Sequence, residues 1–191
     1  MPTKNRSIGR ITCYAAEPVT SATPSRIVIV GISGTGKSAF SRRASTALGL
    51  PLYHMDNILW EENWTEAPLQ KVDLALTEIA ESATWIIEGW IDYYSQAILE
   101  RADLVIYLDY AGCVAAWGGF RRAWRHCRVA RPELPEGCTD SLSLEYLKVM
   151  LLRQERPHIE SILRKFQPRV LLRCTSRKDA ERILRQLGET A

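Results

Sequence analysis

The stretch from Arg26 to Leu48 constrains this chain more than any other. Arg26-Ile-Val-Ile-Val30 is a short β-branched run without polar alternation, as expected of a strand buried on both faces of a parallel sheet. Gly31-Ile-Ser-Gly-Thr-Gly36-Lys37-Ser38 follows at once and fits G-x-x-x-x-G-K-[ST]. Lys37 to Leu48 then reads as a helix stopped by Gly49. Each residue type has a physical reason. Gly31, Gly34 and Gly36 let the backbone turn its N–H groups inward around phosphate oxygens, with Ser33, Thr35 and Ala39 completing the cradle. The helix that follows adds the positive end of its dipole. Lys37 has the reach for the β and γ phosphates of ATP, and the Ser38 hydroxyl is a ligand for Mg²⁺.

A dinucleotide site is the rival reading. Gly34-Thr-Gly36-Lys-Ser-Ala39 also fits G-x-G-x-x-A, and Asp56 lies 20 residues beyond Gly36. In that fold the first glycine follows the strand directly, and here Gly31 holds that place. A Lys-Ser pair at the helix start also has no purpose under a dinucleotide. The triphosphate reading is therefore preferred.

Downstream, strand and helix signals alternate. Strands are expected at Leu50–His54, Trp85–Ile87, Leu104–Leu108 and Val170–Cys174. Helices are expected from Pro68 to about Ser82, Tyr93 to Arg101, Gly112 to His126, Leu142 to Phe166 with a kink at Pro157, and Lys178 to Leu187. Arg128 to Asp140, with Pro132, Pro135 and Gly137, reads as a loop. Five strands separated by helices predict an α/β three-layer sandwich, a five-stranded parallel sheet with helices on both faces.

At 191 residues with 46% apolar content, one domain is expected, and no apolar run is long enough to span a membrane. The five cysteines are odd in number and include no C-x-x-C pair, which points to a reducing cytoplasm. No apolar signal segment follows Met1. Residues 1–25 carry Lys4, Arg6 and Arg10 with no acid before Glu17; they read as a flexible tail rather than a transit peptide, leaving 26–191 as the folded domain.

Ligands of an open parallel sheet sit beyond the carboxyl ends of its strands. Asp56, Glu88 and Asp109 occupy such positions. Asp56 is suited to orient or deprotonate an acceptor group, and Glu88 to support Mg²⁺, whereas Asp109 reads as a helix cap or a solvent-facing acid. His54 shares a strand end with Asp56 but reads as a packed residue. Net charge is only +3, yet Arg121, Arg122, Arg125, His126, Arg128 and Arg131 crowd into eleven residues that hold no acid. With Arg153 and Arg156 on the next helix, they suggest a lid over about 121–140 that closes on phosphates. Trp117 and Trp124, interleaved with the arginines, keep a nucleic-acid face as an alternative. A lid zinc on His126, Cys127 and Cys138 is disfavoured because no short-spaced ligand pair is present.

Taken in order, the phosphate loop, Leu52-Tyr-His-Met-Asp56-x-x-x-Trp60, Trp85-Ile-Ile-Glu-Gly89, Leu104-Val-Ile-Tyr-Leu-Asp109 and Arg131-Pro-Glu-Leu-Pro-Glu-Gly-Cys138 resemble the adenylate-kinase-like proteins often labelled DNA topology modulation proteins. The resemblance covers about Arg26 to Leu187. It implies a nucleoside-monophosphate-kinase-like P-loop fold with ATP and Mg²⁺ at the loop. Arg122, Arg153 and Arg156 match the family's lid and helix arginines, and Cys174 to Lys178 matches the segment behind the adenine ring. Three departures stand out: Glu88 for the usual Asp, Trp90 where relatives tend to carry Asn, and Gly118 where related kinases place an Arg against the base. The expectation is a cytoplasmic kinase moving the γ-phosphate of ATP to a small acceptor, with nucleotides among the candidates. A nucleotide-dependent nucleic-acid-binding regulator and a plain ATPase are the alternatives.

Overall fold

Alternation along the central strands decides the layering. In chain order the elements are β1 (Arg6–Ile8), β2 (Ile11–Ala15), β3 (Arg26–Gly31), α1 (Lys37–Leu48), β4 (Leu52–His54), α2 (Met55–Leu59), β5 (Trp60–Glu61), β6 (Thr65–Glu66), α3 (Leu69–Glu81), β7 (Trp85–Gly89), α4 (Gln96–Arg101), β8 (Leu104–Leu108), α5 (Gly112–His126), α6 (Leu144–Leu151), α7 (Arg156–Phe166), β9 (Val170–Cys174) and α8 (Arg177–Glu189). The computed structural model describes residues 6–8, 11–15, 23–126, 134–135, 138 and 142–189. Ile27 and Ile29 of β3 pack with Ile86, Leu104 and Ile106 against Phe40 and Ala44 of α1 and Ile183 and Leu187 of α8. Val28 and Val30 point the other way, with Trp85, Ile87 and Val105, onto Val72 and Leu76 of α3 and Ile159 and Ile162 of α7. A period of two thus gives β3, β7 and β8 two buried faces, and the sheet lies between two helical layers.

The sheet runs β1-β2-β9-β8-β3-β7-β4. Five consecutive strands, from β9 to the β4 edge, are parallel, so the expected α/β sandwich with a five-stranded parallel sheet is present. Chain order reverses around β3, since β4 and β7 lie to one side and β8 and β9 to the other. That reversal opens a crevice at the β3 carboxyl end, where the glycine-rich turn begins.

Several elements depart from the sequence expectations. Arg6–Ile8 and Ile11–Ala15, within the stretch read as a tail, form a hairpin that pairs antiparallel with β9. The run Ile11-Thr-Cys-Tyr14 has β-forming side chains that a reading weighted by its flanking Ser and Thr passes over. The long helix expected from Leu142 to Phe166 is two helices. Arg153 takes a left-handed φ of 56° between them, and Pro157 lies in the first turn of α7. Proline's missing N–H costs nothing there, so the chain restarts a helix instead of kinking one. Tyr93–Ser95 is a 3₁₀ turn leading into α4, capped by Asp92.

Candidate active site

Gly31 closes β3, and the next five residues turn the chain into α1. Gly34 and Gly36 sit at φ 79° and 89°. The Thr35 hydroxyl donates to the Ile32 carbonyl at 2.8 Å, pinning the turn from inside. Lys37 folds back over the loop, its Nζ donating to the Gly31 and Ile32 carbonyls at 2.9 and 3.3 Å. The α5 helix backs onto the turn so closely that a Cβ at Gly118 would lie 2.0 Å from the Gly34 carbonyl oxygen. Gly118 therefore brings α5 and its arginines against the loop, which a bulkier residue would prevent.

On the other side, Glu155 takes hold of the loop. The Ser33 N–H donates to Glu155 Oε2 at 2.6 Å, the Ser33 hydroxyl to Oε1 at 2.9 Å, and the Tyr146 hydroxyl to Ser33 Oγ at 2.6 Å. A carboxylate thus rests on a main-chain amide of the kind that receives phosphate oxygens.

The strand-end carboxylates divide by environment. Glu88, 5% exposed, faces His54 across the β4–β7 register, and its Oε1 lies 2.6 Å from His54 Nδ1. Burial pushes the Glu88 carboxyl up. The His54 hydrogen bond, the Lys37 charge and the Ser38 hydroxyl outweigh that and hold it below the ordinary carboxylate value. Glu88 is therefore an ionised acid beside Lys37 and Ser38. Asp109, read from sequence as a cap or solvent-facing group, is instead buried at 6% exposure. It binds Arg153, Arg156 at 3.1 Å and Arg173 at 2.7 Å. Glu160 accepts from Arg156 and Arg173 at 2.6 and 2.8 Å, completing the cluster.

Two cavities open from the loop. One, of about 390 Å³, is lined by Gly34 to Phe40, by Tyr110, by Arg121, Arg122 and Arg125 of α5, and by Arg177 of α8. The other, of about 770 Å³, runs under α2, α3 and β7, with Asp56, Trp60, Trp64, Glu88, Trp90 and Glu155 in its wall. Lys37, Ser38 and Arg122 belong to both.

Most of the residues singled out from sequence converge here: Gly31, Ser33, Gly34, Thr35, Gly36, Lys37, Ser38, Ala39, Asp56, Glu88 and Arg122 all line one or both cavities. Arg153 and Arg156 line neither and are held on Asp109. Cys127, Arg128 and Arg131 lie outside the described residues, as does most of the 121–140 lid, and no group of three metal-ligating side chains occurs among the described ones. Sequence reasoning set His54 aside as a packed residue and missed Tyr146 and Glu155. The first had a usable signal: strands ending together place His54 opposite Glu88. Nothing local marked Tyr146 or Glu155, whose roles depend on how α6 and α7 fold back.

Scanned against protein-family models and against curated proteins, the chain finds no match. Solved structures are similar in fold. Shikimate kinase from Acinetobacter baumannii in complex with shikimate superposes with a TM-score of 0.54 at 16% identity, over 86% of this chain and 91% of that one. Shikimate kinase from Bacteroides thetaiotaomicron gives 0.53 at 17% identity, over 87% and 97%. A suspected kinase from Chloroflexus aurantiacus gives 0.52 at 18%, over 88% and 99%. The chain shares its P-loop kinase-like fold with these proteins.

Proposed function

We propose that this chain is an ATP-dependent phosphotransferase of the adenylate-kinase-like type, acting on a small molecule in the cytoplasm through its 26–191 domain. One observation carries the reading: two cavities of unequal size meet at Lys37, Ser38 and Arg122. A hydrolase needs one pocket and a water. A transferase needs two, joined where the group is passed.

The residues fit Mg²⁺-ATP in the smaller cavity. Gly34 and Gly36 have the positive φ that turns amides inward, and Ser38 with ionised Glu88 forms an all-oxygen donor pair suited to a hard cation that keeps several waters. Bound there, Mg²⁺-ATP supplies the phosphoryl group and screens its charge. Lys37 exchanges the Gly31 and Ile32 carbonyls for phosphate oxygens. Glu88 orients the Ser38 hydroxyl, and the two together would hold Mg²⁺. Asp56 takes the proton of the acceptor hydroxyl as its oxygen bonds to the γ-phosphorus and the bond to the β–γ bridging oxygen breaks, leaving ADP. Arg122, between the cavities, steadies the charge on the equatorial oxygens. Arg153 and Arg156 would join it only after leaving Asp109.

ATP consumption measured against nucleoside monophosphates and small hydroxyl compounds, with a no-acceptor control, tests this. Acceptor-dependent turnover that vanishes in Lys37→Ala supports it; turnover equal with and without every acceptor favours the plain ATPase. The nucleic-acid reading has its own observation, Trp117 and Trp124 at 60% and 76% exposed beside Arg121 and Arg125. It requires DNA affinity that falls steeply with added salt.

A further inference from the structure

The larger cavity has a charge pattern that narrows the acceptor, if the transferase reading above holds. Four carboxylates, Asp56, Glu66, Glu88 and Glu155, lie in its wall. Among the described residues the only cations there are Lys37 and Arg122, and both are shared with the smaller cavity. Those two sit at the transfer end, where a triphosphate and Glu88 use their charge. Away from that end the wall is acidic and aromatic, with Glu66 opposite Trp60 in the β5–β6 register and with Trp64 and Trp90 also in the wall. Trp60 and Trp64 meet edge to face with centroids 5.5 Å apart, and Trp90 stacks on His158 at 4.8 Å. Indole faces next to carboxylates attract cations and repel anions.

Two tyrosines of the same wall, Tyr94 and Tyr146, lie near these carboxylates. Burial first, then the charges of Asp92 and Asp56, push the Tyr94 hydroxyl far above its ordinary value. Burial likewise raises Tyr146, with Glu155 and Asp56 adding to the rise against the opposing Ser33 hydrogen bond and Arg122. Burial is the larger cause at both tyrosines, and Asp56 adds to each.

We infer that the phosphoryl acceptor is a ring-sized hydroxyl compound bearing a protonated amine, such as an amino sugar or an amino-nucleoside, and not one bearing a phosphate or carboxylate. At about 770 Å³ the cavity holds a ring compound with room for water. The amine seats between the indoles and Glu66, leaving a hydroxyl toward Asp56, Lys37 and Arg122. A nucleoside monophosphate would have to bring its phosphate among carboxylates.

The test uses two charge-matched series on the full chain saturated with Mg²⁺ and a non-hydrolysable ATP analogue: glucosamine, glucose and glucuronate; 5′-amino-5′-deoxyadenosine, adenosine and AMP. Binding is read by calorimetry and turnover by ADP release with ATP itself. The amine should bind at least about tenfold tighter than its neutral partner in at least one series, with the anion weakest. Glu66→Gln should shrink that preference several-fold and leave analogue affinity unchanged. An anion binding tightest in either series overturns the inference, as does the failure of both amines while the analogue binds. Failure of the analogue itself to bind overturns the transferase reading instead, so the two outcomes are distinct.

Discussion

Replacing Gly118 by Ala tests the packing of α5 on the phosphate loop. The added methyl would sit 2.0 Å from the Gly34 carbonyl oxygen and 3.1 Å from its carbon, where ordinary contact begins at 3.4 Å. The helix must back away by about 1.4 Å or the loop must bend, and neither is a flexible side-chain end. Overpacking of this kind costs roughly 1–3 kcal/mol. Against it stands the gain of about 0.5–1 kcal/mol for removing glycine from a helix interior. The clash wins, so the variant should lose ~1–2 kcal/mol, or roughly 2–8 °C in Tm at this chain length. Because the displaced atoms belong to the phosphate loop and to the helix carrying Arg121, Arg122 and Arg125, ATP affinity should fall along with stability. Gly119→Ala is the control in the same helix: its close contacts are with the Sδ and Cε end of Met150, at 2.6 Å, a flexible side-chain end, and Leu142 Cδ1 lies at an ordinary 4.0 Å. Thermal unfolding with calorimetric ATP titration reads both effects. A Gly118→Ala protein as stable as the parent, with unchanged ATP affinity, would refute the close approach on which the smaller cavity depends.

Lys37→Ala should lower acceptor-dependent ATP turnover by at least about a hundredfold with thermal unfolding little changed, since what is lost is hydrogen bonds to two loop carbonyls and one of the groups that favour the Glu88 charge. Glu88 has its folded value depressed, so its contribution to stability is complete above the ordinary value of 4.5 and is lost as pH falls through the depressed value. The Tm gap between the parent and Glu88→Gln should therefore be flat at neutral pH and close in acid. Glu155→Gln removes an anion from the Ser33 amide, so ATP should bind about two- to tenfold tighter by calorimetry, at a stability cost of about 1 kcal/mol. Asp109→Asn leaves three guanidiniums short of their shared acceptor and should destabilise by roughly 3 kcal/mol in urea unfolding.

Much of the frame was legible because its physics is local. Ile-Val-Ile-Val in β3 and Leu-Val-Ile-Tyr-Leu in β8 carry enough apolar, β-forming surface to mark buried strands without knowledge of their partners. Gly49 ends α1 in the left-handed conformation that glycine accepts readily, as its position after Leu48 suggests. The loop chemistry was legible for the same reason, since a phosphate cradle is made from consecutive amides. What stayed hidden was assembled from distance. The break between α6 and α7 lies at Arg153, a residue type with no preference for positive φ, and tertiary contacts on both sides hold it there. The sequence offered Pro157 as the visible irregularity, and a proline in a first turn interrupts nothing.

The arginines show how charge and position must be weighed together. Arg122 and Arg153 look alike as sequence, each a cation on a helix beside a phosphate site. Arg122 extends from α5, which Gly118 presses onto the loop, so its reach into both cavities follows from backbone packing. Arg153 and Arg156 lie beside Asp109, a carboxylate at the end of β8 and so shielded from water that its charge must be met by protein. A buried acid claims the nearest guanidiniums before any mobile ligand arrives. Its position at a parallel strand's end had suggested a helix cap or a solvent-facing acid, yet it is buried and binds Arg153 and Arg156, on either side of Glu155. The turn that carries the two arginines toward the site is thus the same one that keeps them from it. Recruiting them to a transferring phosphoryl group would require Asp109 to give up partners whose loss it could ill tolerate, which favours Arg122 as the arginine of the chemical step.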